Sequence, residues 1–251
     1  METTAYTLIQ WGFALLTLTC VGLVLFGLWR ALEKAPYNQS RKRKIFWQTM
    51  LVMLGWLGLV SVLSLRGFYQ DFSAIPPRFA FLVLPPLAAV VVLCYSKGFR
   101  QLLAYVPPAW RIPASLSFFV ELLLWALFVQ NLVPEQMTFE GRNWDILVGI
   151  TAGFVGYFCL VKGRWPVSIA FWWNIAGLLL VFNIAAVAIL SAPTPFRVFM
   201  NEPANTIVTY FPIVWLPAVL VPLAFALHFF SLHQLRMKTR RDRTESTRVV
   251  V

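Results

Sequence analysis

Apolar runs recur along this chain, each closed by a short polar or basic stretch, and each approaches the about 20 residues an α-helix needs to cross a bilayer core. Seven such runs are legible: Ala5 to Trp29, Ile45 to Leu65, Phe79 to Tyr95, Ile112 to Val133, Ile146 to Val161, Val167 to Leu190 and Ile207 to Leu232. Only 12% of the residues are charged, where a soluble domain carries about 25%. With so few charges, much of the surface cannot face water. Seven helices and short loops use up the chain and leave no room for a soluble catalytic domain. The expectation is all-α: a polytopic transmembrane bundle of seven helices over residues 1–235, followed by a basic cytoplasmic tail, 236–251, without fixed structure. The first run lacks a basic segment before it and is longer than a signal-peptide core, so it reads as a retained helix.

Orientation follows from the basic residues. Of the 21 Lys and Arg, all but Arg66, Arg78, Arg142 and Arg197 fall in the first, third and fifth connectors and the tail. Cytoplasmic loops carry the excess of Lys and Arg, so these segments belong inside and the chain is N-out/C-in. Glu2, Asp71, Glu135, Glu140, Asp145 and Glu202 then fall outside. The net charge of +11 could suggest nucleic acid, but its placement beside apolar runs points to anionic lipid headgroups instead. No nucleic-acid partner is expected. Partners are the lipid bilayer, anionic lipids at the basic segments, and a second copy or another membrane protein.

Inside the runs, Glu121 is the costly residue. A carboxylate at the bilayer centre costs about 2.5–3.5 kcal/mol on insertion scales. It lies in SLSFFVELLLWALF, with Ser117 and Trp125 one turn either side on its face. Its functional reading is a proton-coupling or ligand-binding carboxyl; its structural reading is a hydrogen bond to a neighbouring helix. Asn174 and Asn183, about 180° apart on the sixth run, read as interhelical hydrogen-bonding groups. Pro85-Pro86 and the trio Pro212, Pro217 and Pro222 predict kinks that could open an outward cavity. Gly149 and Gly153 form a GxxxG for close helix packing within the chain or across a dimer.

The densest outer polar stretch, PEQMTFEGRNWD, supplies Glu135, Thr138, Glu140, Arg142, Asn143 and Asp145 around a turn at Gly141. It reads either as a capped turn with Arg142 paired to a carboxylate, or as a binding loop above a cavity. Arg66, Tyr69, Asp71 and Arg78 of another outer loop could converge on it. The site expected is a polar pocket open to the outside: Glu121 at its base, Trp125 a further binding residue one turn along, and Glu140, Arg142, Asn143 and Asp145 near its mouth.

Other chemistry finds no pattern. Cys20, Cys94 and Cys159 make no CxxC and read as small buried hydrophobes. His228 and His233, five apart, turn about 140° from one another and read as helix-end residues. HExxH, GxSxG, Walker A and GxGxxG are absent, so no cofactor or metal is expected and an enzyme is disfavoured. Seven N-out helices match the rhodopsin and G-protein-coupled-receptor layout in number alone. No run holds a lysine for retinal, and neither DRY nor NPxxY occurs.

The runs FFVELLLWALF, MTFEGRNWDILVGIT and FPIVWLPAVLVPLAFALHFFSLHQL resemble uncharacterised multi-spanning bacterial membrane proteins. The resemblance covers most of the second half. It implies a bacterial inner membrane and brings no activity or site residues. The leading function expected is handling or sensing of a small solute or ion; the alternatives are a non-catalytic accessory subunit and an enzyme acting on lipid-linked substrates.

Overall fold

The computed structural model describes residues 4–106 and 116–249, with side chains on the last helix up to Met237. The turn expected at Pro107-Pro108 and the start of the fourth run, Ile112 to Ser115, lie outside the described residues. Helix is the only regular structure among those described. α1 (Thr4–Lys34) and α2 (Gln39–Leu65) are long, and Asn38 caps α2 by accepting the Arg41 amide at 2.8 Å. α3 (Ala80–Tyr95) runs on through Pro85 and Pro86. At Ser96 the backbone is extended, and α4 (Lys97–Leu103) restarts from a Ser96 side-chain cap at 81° to α3. α5 (Ser117–Val129) and α6 (Ile146–Val155) follow, α6 continuing as a π turn, Gly156–Val161. α7 (Val167–Ser191) is long again, and a π turn, Leu216–Leu220, leads into α8 (Val221–Val249).

Four helical stretches are long and apolar enough to cross a membrane: α1, α2, α7 and Leu216–Met237; the bent pair α3 and α4 makes a fifth if it is one span. α5 and α6 with its π turn are apolar but shorter. The last run does not start where the sequence suggests. Residues Ile207–Thr209 make a 3₁₀ turn and Pro212 lies in irregular chain, so only Pro217 and Pro222 belong to the final helix. Pro217 stands in its first turn, where a missing amide hydrogen costs least, and for Pro222, a turn further on, the Ala218 carbonyl accepts Trp56 Nε1 at 3.0 Å instead.

Outward faces are apolar. Trp11, Leu15, Leu51, Val52, Leu179 and Phe182 are all exposed, a surface that suits lipid tails and not water. Packing sorts the connectors into two groups. Ala31, Leu32 and Ala35 at the end of α1 cluster with Leu102 of α4, and Gln234 of α8 donates to the carbonyls of Leu103 (2.8 Å) and Val106 (3.2 Å). Leu235 joins Cys159 and Ala170 there. In the other group, Gln136 donates to Ser191 (2.9 Å), Asn183 to the Arg142 carbonyl (2.8 Å), and Ser64 to the Thr209 carbonyl (2.7 Å).

Candidate intramembrane cavity and the loop above it

α5 is apolar apart from its serine and one acid, and it buries the acid. Glu121 is 2% exposed, on the face that also buries Leu124 and Leu127. What meets it comes from the loop 134–145. A 3₁₀ turn at Glu135–Met137 reverses the chain, and the Thr138 carbonyl accepts the amides of Gly141 (3.1 Å) and Asn143 (3.0 Å). The doubled loop turns Asn143 inward until it is fully buried. Its Nδ2 donates to Glu121 Oε2 and to the Met137 carbonyl (3.1 Å), while its Oδ1 accepts the Asp145 amide at 3.3 Å. The expected capping of the next helix therefore takes another form. Neither Asn143 nor Asp145 caps the first turn of α6 with its side chain, because Asn143 is committed to Glu121.

Asp145, the residue before α6, is 7% exposed, and its Oδ1 has no hydrogen-bond partner among the described residues. Burial pushes its carboxyl up to about 6. Glu121 and Asp145 are close enough to repel when both are ionised.

Both carboxyls line a cavity of about 160 Å³ at the centre of the bundle. Val24 of α1, Val83 of α3, Val120 of α5, Ile184 of α7 and Ala224 of α8 line it. The pocket expected to be polar is thus mainly apolar, with Ser117, Glu121, Asp145, Asn205 and His228 as its polar lining. Asn205 donates to the Ala188 carbonyl (3.0 Å), and its Oδ1 is left buried without a partner.

The other predicted site residues stand apart from this cavity. Trp125 Nε1 donates to Glu140 Oε1 at 2.6 Å, and its ring stacks on Phe139. The Arg142 guanidinium lies 5.3 Å over the Phe199 ring, so the expected pairing with a carboxylate is replaced by a cation–π contact. Glu140 and Arg142 edge a separate open cleft with Glu135, Gln136 and Asn201. The six residues therefore divide: Glu121 and Asp145 line the cavity and Asn143 holds Glu121 from behind, while Trp125, Glu140 and Arg142 lie outside it. The second outer loop joins the cavity through Phe72 and Phe79 and not through its charges. Asp71 pairs with Arg78 at 3.0 Å, and the Ser73 hydroxyl first, then Arg78, holds it below the usual carboxylate range.

Three polar residues were not singled out from sequence. Asn205 and Gln136 are uncharged and lie in loops; only their position beside apolar runs marks them. For His228 the spacing predicts a helix-end residue, whereas the structure leaves it 3% exposed. Its Nδ1 meets Asn174 Oδ1 at 3.1 Å, and since Asn174 donates through Nδ2 to the Ala170 carbonyl (2.6 Å), Nδ1 must be the donor. Asn174 and Asn183 thus both bond to other elements, as their chemistry suggested. The three cysteines are free, with Cys20 and Cys159 buried. No known family model, no curated protein and no solved structure matches the chain.

Proposed function

We propose that this chain is a seven-span inner-membrane protein, N-out and C-in, that binds a small solute in its central cavity as a sensor or carrier. One observation carries the reading: a buried acid, Glu121, is held by Asn143 at the wall of a partly open cavity, with unpartnered polar atoms in the lining. A purely structural acid would be expected to close its surroundings with donors. Orientation is supported by the grouping of the connectors. Lys34, Lys97, Lys162 and Arg236 all adjoin the cluster of α1, α4, α6 and α8 ends, while Arg142 and Arg197 adjoin the opposite group. Anionic lipids would then gather at the first group.

Chemical labelling in intact cells tests the reading. On a background with Cys20, Cys94 and Cys159 replaced by alanine, Glu121→Cys should react with a small membrane-impermeant thiol reagent. Trp144→Cys, at an exposed position, serves as the outside control, since Asn143 is buried. Labelling at 144 but not at 121, in folded protein, would remove the outward route to the cavity.

A second reading, an accessory subunit that packs against another membrane protein or its own copy, has one observation in its favour. Gly153 on α6 has open space where its side chain would stand, beside exposed Ile150 and Phe154. Gly153→Leu should disrupt such an association, read by co-purification, and leave solute binding intact.

A further inference from the structure

The polar lining of the cavity is unbalanced. Glu121 and Asp145, when ionised, only accept hydrogen bonds, and the free atom of Asn205 is a carbonyl oxygen. Asn143 gives Glu121 one donor and the unpartnered Ser117 hydroxyl is one further donor in the lining, but three acceptor groups face them, and Asp145 Oδ1 and Asn205 Oδ1 have no donor among the described residues. Among the described residues, no lysine or arginine lines the cavity. Buried carboxylates are normally paired with a cation or hydrogen-bonded in full, because an unpaired one loses its hydration without return. Whatever occupies this space must therefore bring donors, and preferably positive charge, to one end and apolar surface to the rest.

We propose that the cavity binds a small alkyl- or arylammonium ion, its –NH₃⁺ among Glu121, Asp145 and Asn205 and its apolar body against Val120, Ile184 and Ala224. This names the ligand class of the solute site proposed above and rests on that reading. A primary ammonium carries three donors and no acceptor, the complement of this lining. A carboxylate ligand would add acceptors and repulsion. An alcohol would bring one donor and no charge. The size fits a modest body: the cavity of about 160 Å³ is close to the roughly 150 Å³ of an engineered apolar cavity that holds benzene.

Three probes with one apolar body and different heads separate the possibilities: 2-phenylethylamine, 2-phenylethanol and 3-phenylpropanoate. Each is titrated calorimetrically into the full chain, purified in an uncharged detergent at neutral pH, with protein-free micelles as the blank. The amine should bind about tenfold or more tighter than the alcohol, with the propanoate weakest, the difference a charge-assisted hydrogen bond makes. Asp145→Asn and Asn205→Leu should each weaken the amine by more than they weaken the alcohol. Equal binding of amine and alcohol, or preference for the propanoate, overturns the ammonium assignment and leaves a solute cavity standing. No binding of any of the three to folded protein overturns the ammonium assignment; labelling of Glu121→Cys then decides whether the solute site falls with it. The wild-type ranking needs no variant, so a substitution that fails to fold does not blunt the test.

Discussion

Asn143 spends its whole amide on the interior. Two protons go to Glu121 and the Met137 carbonyl, and the oxygen takes the Asp145 amide. Truncation would strand two buried acceptors at once, at about 1–3 kcal/mol per unsatisfied group. Asn143→Ala should thus lower stability in detergent by at least that amount, measured by thermal or denaturant unfolding; a change within a few tenths would mean that Glu121 has another donor. Asp145 predicts a pH dependence. Its folded value is about 6, against about 3.9 in an unfolded chain. Between these values the unfolded state has lost the proton that the folded state keeps, so stability falls as pH rises. The stability tied to this proton is complete below about pH 4, declines to about pH 6 and is flat above, a span on the order of 2–3 kcal/mol. Unfolding of the wild type from pH 4 to 7 should show stability falling as pH rises, and Asp145→Asn should make that fall shallower. The sequence pointed to Glu121, Asn143 and Asp145 because a charge in an apolar run and a dense polar loop are both costly. It could not say that Asn143 would reach Glu121 and Arg142 would not, because that depends on how the loop doubles at Thr138.

At the scale of helices, the two glycines of the GxxxG have different neighbours. A side chain at Gly149 would run into the backbone of Phe118 on α5, whereas one at Gly153 would meet open space. Gly149→Ala must push α5 and α6 apart and should destabilise by about 1–3 kcal/mol, as overpacking does, while Gly153→Ala should be silent or mildly stabilising. Parallel unfolding of the two variants checks this, and equal effects would contradict the packing. A similar approach explains why His228 escaped a reading from sequence. Gly177 on α7 leaves room for its ring, which a methyl group there would strike. The signal is split between two helices: a glycine and an asparagine three residues apart on one, a histidine far along the chain on the other. Spacing within one helix, which excluded a pair with His233, carries no trace of it. The prolines teach the same limit. Pro85 and Pro86 leave α3 helical, while Pro212 falls outside its helix, because neighbouring elements decide where the freed carbonyls find donors.

For the whole molecule, crossing depends on α5 and α6. Seven apolar runs are legible in sequence, yet α5 at 13 residues rises about 20 Å and α6 with its π turn about 24 Å, short of the roughly 30 Å of a bilayer core. Between the described helices, the loop 130–145 adds further chain packed into the protein. Irregular chain is tolerated at membrane depth only where protein buries it and satisfies its polar groups. Val133, Gln136, Thr138 and Asn143 are buried, and Gln136, Thr138 and Asn143 hydrogen-bond within the protein. Periodicity cannot reveal this, since a buried polar loop and an exposed one have the same composition. The two helices also form a pair, so whether or not they cross, Lys97 before them and Lys162 after them lie on one side. Cysteines at those positions therefore do not decide the count; Trp144 does. If the pair crosses, Trp144→Cys should be labelled from outside in intact cells, as should Ser73→Cys, while Lys97→Cys and Lys162→Cys should react only after permeabilisation. If the pair dips in and returns without crossing, Trp144→Cys should stay unlabelled until the membrane is opened. The hydrogen bond from Asn183 of α7 to the Arg142 carbonyl ties the loop to the group that holds Ser191 and Asn201, and so favours the first outcome.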